Sequence, residues 1–320
     1  MKFGKIIRQA LATLFIVAIL LFAVGCGNDG NKSANVDSKN TASEEIDDKI
    51  DENASPEQKI ETAVKLCDAG NYEKSLKLYN DVIQLDSSNA EIYIKRSKAY
   101  LGLAQYDSAI SDCEKAIELE PNSSEAYLNR GKAYLGLNQQ YSAIDDFDKA
   151  IELNPDSAEA YNNRGKAFYA LGQNYPAFDD YDKAIELKSD YAEAYNNRGL
   201  AYNAIWDDSQ AINDYKKAIE LKSDYAEAYN NLGVTYTLLG RADDAINALD
   251  KAIELKSDYA EAYNNRGKAY SSIWKEYRAI QDYDKAIELN PDFEEPYANR
   301  NNSYIAIVQY EQTLQYIYQQ

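Results

Sequence analysis

Five arginines and five aspartates stand at matched intervals in this chain. Arg96, Arg130, Arg164, Arg198 and Arg266 recur at multiples of 34 residues, and Asp112, Asp146, Asp180, Asp214 and Asp282 follow them by 16. Leu232 interrupts the first series and Ala248 the second, at the same repeat. Loss of the acid where the base is lost points to a direct pair, a planar guanidinium clasping a carboxylate through two N–H donors. Matching each arginine to the preceding aspartate fits worse, because it leaves Arg266 facing Ala248. Two separately solvated charges are the competing reading. A second series is Asn129, Asn163, Asn197, Asn231, Asn265 and Asn299, again 34 apart. A carboxamide donates and accepts at once, so such a ladder could hold a peptide backbone. Lys98, Lys132, Lys166 and Lys268 follow three residues on, and with the arginines they would make part of that surface basic.

Little else in the chain offers chemistry. There is no histidine, which removes the side chain that titrates near neutral pH and the commonest metal ligand. The cysteines are Cys26, Cys67 and Cys113, too few for a disulfide framework. Cys67 and Cys113 fall at helical positions and read as buried thiols. No phosphate loop, paired metal-ligand spacing or nucleophile motif is present. An enzyme, a cofactor and a bound metal are therefore not expected. The net charge of -19 argues against nucleic acid and anionic membrane surfaces, and favours partners that are basic or that meet local patches hidden by the net charge, a basic groove suiting an acidic peptide.

The elements that must carry these residues follow from the same period. Tyr93, Tyr127, Tyr161, Tyr195, Tyr229, Tyr263 and Tyr297 are 34 apart, as are Ala109 to Ala279, Ala116 to Ala286 and Gly131 to Gly267. Inside one unit, Tyr161, Gly165, Phe168 and Leu171 lie at helical spacing, a polar break follows, and Ala177, Tyr181, Ala184 and Leu187 resume the pattern. Each unit is thus two amphipathic helices joined by a short turn. Small residues let the backbones approach, the tyrosine ladder fills the core, and only stacking buries the apolar faces.

This arrangement resembles the tetratricopeptide repeat (TPR) family. The resemblance implies an all-α right-handed superhelix, an α-solenoid of about eight helix-turn-helix repeats. The units are 56–89, 90–123, 124–157, 158–191, 192–225, 226–259, 260–293 and a partial 294–320 that stops inside its second helix. The first is degenerate, with Lys59 and Ser75 in place of the aromatic and the first alanine, and Arg300 in the last faces Tyr316. The resemblance also implies that first helices line a concave groove for a protein or peptide, and places the asparagines and Lys132 and Lys166 there. Asparagine at this position is common in the family with or without a ligand, so both readings of the ladder stand. A carboxylate clamp of the kind some members have is not expected, because Glu91, Glu125, Glu159, Glu193, Glu227 and Glu261 occupy the position it needs. Leu200 and Val234 replace lysine further along and suggest an apolar stretch of groove.

The N-terminus reads as an address. Lys2, Lys5 and Arg8 precede an apolar run from Ala10 to Gly25 that closes in Ala23-Val24-Gly25-Cys26. Basic start, apolar centre and small residues before a cut make a secretory signal over 1–25. The last four residues resemble the lipobox of bacterial lipoproteins, which implies lipidation of Cys26, with an uncleaved anchor as the competing reading. Residues 26–55 are acidic and polar, a disordered tether by composition. Together these features describe a lipid-anchored interaction scaffold on the exported side of a bacterial envelope membrane. The alternative is a small-molecule or glycan binder, or an accessory subunit of an envelope enzyme. Tyr304, Tyr310, Tyr316, Ile317 and Tyr318 suggest a homodimer through the last repeat.

Overall fold

The computed structural model describes residues 54–319. The segment 1–25, Cys26 and nearly all of the tether lie outside them. Among the described residues the chain is all α. Seven hairpins succeed one another: α1 (Pro56–Asp68) with α2 (Tyr72–Leu85), α3 (Ala90–Gly102) with α4 (Tyr106–Leu119), α5 (Ser124–Gly136) with α6 (Gln140–Leu153), α7 (Ala158–Ala170) with α8 (Asn174–Leu187), α9 (Ala192–Ala204) with α10 (Asp208–Leu221), α11 (Ala226–Leu238) with α12 (Ala242–Leu255), and α13 (Ala260–Ser271) with α14 (Glu276–Leu289). A long helix, α15 (Glu294–Tyr318), follows. The chain divides into two compact units, Met1–Ala177 and Phe178–Gln320, with the boundary inside α8. Each is described by itself.

The turn inside every hairpin rests on one backbone conformation. Gly70, Ala104, Asn138, Gly172, Trp206, Gly240 and Trp274 all have φ between 54° and 81°, in the left-handed region, and they are 34 residues apart. That residue ends the first helix and reverses the chain. The two helices then meet at a small side chain. A Cβ added to Gly199 would lie 2.7 Å from Tyr215, and one on Gly267 would lie 2.5 Å from Tyr283. In the second hairpin Ser97 takes the glycine's place, and the smaller, fully buried Cys113 takes the ring's. In the first, the degenerate Ser75 is buried and donates its hydroxyl to the Ala63 carbonyl at 2.8 Å, tying the hairpin together.

The rings that fill the core are those of the second helices. Tyr79, Phe147, Tyr215 and Tyr283 are at most 2 % exposed. The lead tyrosines of the first helices, expected as the core ladder, sit further out. Tyr93 is buried, Tyr297 is 37 % exposed, and those between are half-buried. All but Tyr229, which has Leu232 in the arginine's place, carry an arginine over the ring, from Arg96 on Tyr93 to Arg300 on Tyr297, at 5.4–5.6 Å. The rings bury their bodies and stay open to a cation.

The last element departs from expectation. Residues 294–318 form one continuous helix of 25 residues instead of a first helix and part of a second. Two residues explain it. Val308 stands where the turn needs a left-handed conformation, which a β-branched side chain resists. Asn301 stands where Gly267 admits its partner ring, so no second helix can approach closely. Tyr316 is therefore not opposite Arg300 but further along the same helix.

Within each unit, stacking is uneven. First helices touch the next first helices (α1 with α3, α3 with α5 and α5 with α7; then α9 with α11, α11 with α13 and α13 with α15). Among the described residues, second helices make no such contact with the next second helices. Elements in contact lie closer than elements apart, so each stack curves with its first helices on the inner face.

Candidate functional site

The inner face is built on a framework of ion pairs. Arg130 donates from Nε and Nη2 to the two carboxylate oxygens of Asp146, at 2.8 and 2.7 Å. Arg96 clasps Asp112, Arg198 clasps Asp214 and Arg266 clasps Asp282 in the same way, at 2.5–2.8 Å. The aspartates are buried. Burial raises the Asp146 carboxyl above the usual carboxylate range, against the opposing pull of Arg130. The bond from Asp146 in turn raises Arg130. Arg164 lies in the first unit and Asp180 in the second, where it is buried.

A further contact escaped the reading of the sequence. The Nη1 of five of the arginines reaches back to the second helix of the preceding hairpin: Arg164 to Asp148, Arg198 to Asp182, Arg266 to Asp250 and Arg300 to Asp284, all at 2.5–2.6 Å, and Arg96 to Asn80. One guanidinium thus joins two hairpins. The signal was present in the sequence. Lys216 stands 16 residues before Leu232, so this acid too disappears where the arginine does. Leu232 and Ala248 are both buried there.

The asparagine ladder is partly internal. Asn231, Asn265 and Asn299 donate their Nδ2 groups to Asn196, Asn230 and Asn264 of the preceding first helix, each at 3.0 Å. Asn129 donates to Ser97 Oγ at 3.1 Å, and Asn163 to its own helix at the Glu159 carbonyl. Asn197 is buried. The amide donors therefore knit neighbouring helices. The Oδ1 acceptors of Asn231, Asn265 and Asn299 have no protein partner among the described residues.

The expected basic groove is corrected. Lys98 pairs with Glu125, Lys132 with Glu159 at 2.8 Å and Lys268 with Glu295 at 2.9 Å, each bridging to the next first helix. The glutamates that argued against a carboxylate clamp also neutralise these lysines. Lys166 is exposed in the first unit. The second unit differs. Leu200 and Val234 replace the bridging lysines, and Glu227 and Glu261, which those lysines would have met, have no basic partner among the described residues. Val64 makes the same replacement in α1, but Glu91 there finds Lys95 one turn along at 3.1 Å. In α11 and α13 that place belongs to Asn231 and Asn265.

Helix starts change in parallel. Asn89, Ser123 and Ser157 cap α3, α5 and α7 with side-chain hydrogen bonds. Tyr191, Tyr225, Tyr259 and Phe293 occupy the same place in the second unit and make none. Burial, followed by the charges of Glu193 and Glu227, raises the Tyr225 phenol.

Other features carry less. Burial pushes the Cys113 thiol up to about 12, and Cys67 is half-buried. A concavity of 590 Å³ lined by Pro56, Ile60, Val64 and Val82 lies on the first two hairpins. No group of His, Cys, Asp and Glu among the described residues could hold a metal ion, and no helix among them is long and apolar enough to cross a membrane. On α15, Tyr304, Ile305, Val308, Tyr310, Tyr316 and Ile317 are at least half exposed. The Nε of Arg300, whose counterparts clasp an aspartate, is buried without a hydrogen-bond partner.

Comparison with known proteins bears on this architecture. Models described as TPR repeat match residues 65–103, 137–172, 165–204, 207–240 and 235–272, and models described as tetratricopeptide repeat match 90–123, 113–145 and 260–293. Tetratricopeptide repeat protein 28 from Homo sapiens is 33 % identical over 58 residues, which are 18 % of this chain and 2 % of that protein. The fold is similar to that in the crystal structure of the APC/C hetero-tetramer Cut9-Hcn1 (TM-score 0.69, 20 % identity, 76 % of this chain and 48 % of that one). It is also similar to a tetratricopeptide repeat protein from Parabacteroides merdae (TM-score 0.61, 17 % identity, 78 % and 98 %). A third similar fold is PilW, a type IV pilus biogenesis factor (TM-score 0.60, 22 % identity, 65 % and 97 %). The chain thus spans about half of Cut9-Hcn1 and a small fraction of the human protein. With a 34-residue period, seven two-helix units and matching repeat models, the chain belongs to the tetratricopeptide repeat family.

Proposed function

We propose that this protein is a lipid-anchored interaction scaffold of the bacterial cell envelope, holding a partner protein or peptide on the inner face of its first helices. The observation that carries the reading is the uneven stacking. Within each unit and among the described residues, contacts between successive first helices, without contacts between successive second helices, turn an uncovered helix face inward across several repeats. A face of that kind matches an extended or helical segment better than an enclosed small molecule. The N-terminal signal and Cys26 supply the anchor in this reading, and residues 26–55 the reach. A second copy of the chain is a further partner, docking on α15, which exposes Tyr304, Ile305, Val308, Tyr310, Tyr316 and Ile317.

Two measurements test the proposal. A photo-crosslinking residue at Val234, on the inner face, captures a protein in native membranes, whereas one at Asn247, exposed on α12, does not. Equal capture from both positions would remove the inner face as the site. Cys26→Ala shifts the protein out of the membrane fraction and abolishes the mass increment of a lipid; retention with unchanged mass rules out the lipid anchor.

A further inference from the structure

We infer that the inner face of the second unit, along α9, α11 and α13, takes a basic, apolar polypeptide segment whose cationic side chains are seated at Glu227 and Glu261. This rests on the inner-face reading above and gives it a chemistry.

The argument is a comparison of the repeats with one another. Where lysine occupies the bridging position, the glutamate of the next first helix is neutralised within the protein. In α9 and α11 the lysine has become Leu200 and Val234, while Glu227 and Glu261 remain. Two carboxylates thus lose their bases, and two half-buried apolar side chains appear beside them. The compensation that Lys95 provides for Glu91 is missing here, because the corresponding residues are Asn231 and Asn265.

The outward polar groups of Glu227, Asn231, Glu261 and Asn265 that have no protein partner among the described residues are acceptors. Glu227, Asn231 and Val234 are spaced by four and three residues, so they share one face of α11, and Glu261, Asn265 and Lys268 do the same on α13. The asparagine Nδ2 groups are engaged with the preceding helix, which leaves Oδ1 outward, and Lys268 is bound to Glu295. A strip of carboxylates and carbonyl oxygens around leucine and valine matches a ligand that brings N–H donors, positive charge and aliphatic surface. Lysine and arginine side chains bring all three. The tyrosines that replace the helix caps add ring faces, and Lys222 and Lys256 already lie 4.7 Å from the rings of Tyr225 and Tyr259. The net charge of -19 draws such a segment in.

Geometry sets its spacing. Packed helices lie about 10 Å apart, so Glu227 and Glu261 present charge at roughly that interval. An extended chain covers this in about three residues, a helix in about seven.

Labelled peptides test the inference by fluorescence anisotropy on the full chain. The cationic set carries lysine at every third position with leucine beside it, or at every seventh position of a helical sequence; matched peptides carry glutamine or glutamate instead. The better lysine peptide binds about tenfold more tightly than its glutamine analogue, and the glutamate analogue does not bind. Leu200→Lys with Val234→Lys rebuilds the bridges found at the other junctions and removes the preference, in protein whose circular dichroism matches wild type. Gln210→Lys with Asn247→Lys adds the same charge on the second helices and leaves the preference in place. Equal affinity for lysine and glutamine peptides, no binding by any peptide, or loss of preference in both double variants would overturn the inference. The inner-face reading stands or falls separately, on the Val234 crosslink.

Discussion

At the scale of single residues, the arginines are the joints of the array. Arg96, Arg198 and Arg266 each reach the second helix of their own hairpin through Nε and Nη2, and the second helix before it through Nη1. Removing one partner strands a largely buried charge, whereas removing both need not cost much. Asp214→Ala should therefore lower unfolding stability by about 3–5 kcal/mol. Adding Arg198→Leu should recover most of that loss, because it recreates the buried Leu232 and Ala248 already present in the next hairpin. Urea denaturation of the two variants gives the answer; a double variant no more stable than the single one contradicts it. Cys113 makes a second residue-scale test. Its thiol is buried and raised to about 12, so it should resist a thiol reagent at pH 8 until the chain unfolds. Rapid labelling that disappears in Cys113→Ser would show that the site opens.

At the scale of the element, each hairpin depends on one small residue and one left-handed residue. Gly199→Ala would place a methyl 2.7 Å from the Tyr215 ring and should cost about 1–3 kcal/mol. Trp274 holds φ 61° and is 80 % exposed, so Trp274→Gly should gain about 1 kcal/mol by relieving that conformation. Thermal unfolding checks both, and a fall in Tm for Trp274→Gly would mean that the ring makes contacts worth more than the strain. The hairpin pattern itself was legible in the period of Tyr, Gly and Ala. The single helix of 294–318 was also legible, in Val308 and Asn301, but only once the left-handed position had been located. A search for helical periodicity passes over it, since the apolar residues of α15 continue without a break.

At the scale of the whole molecule, the question is which faces remain for partners. Second helices cover the outside of each unit and first helices are left uncovered inside. The exposed surface of α15 is the other candidate. If a second copy docks there, the protein should sediment as a dimer, and Ile305→Glu with Val308→Glu should return it to a monomer. A wild-type monomer at high concentration would leave α15 without this role. The ion pairs between first helices bear on the same question, because they decide how much charge the inner face shows. The groove lysines suggested a basic surface; Lys98, Lys132 and Lys268 are each bound by the next helix.

The sequence by itself determined the period, the helix pairs, the arginine–aspartate partners and the family. These depend on intervals along the chain, and a helix converts an interval into a direction. The tertiary structure alone decided what lies across from each residue in the next repeat. It placed Nη1 of five arginines on an earlier helix, turned asparagine donors inward, and joined Lys132 to Glu159, which is 27 residues away and not at the repeat spacing. Such contacts depend on how far one hairpin is rotated against the next, a quantity set by packing over many side chains rather than by any interval. For that reason the ladder of asparagines and lysines looked in sequence like a uniform binding surface. Folded, it is a framework that is closed by ion pairs in the first unit and open at Glu227 and Glu261 in the second.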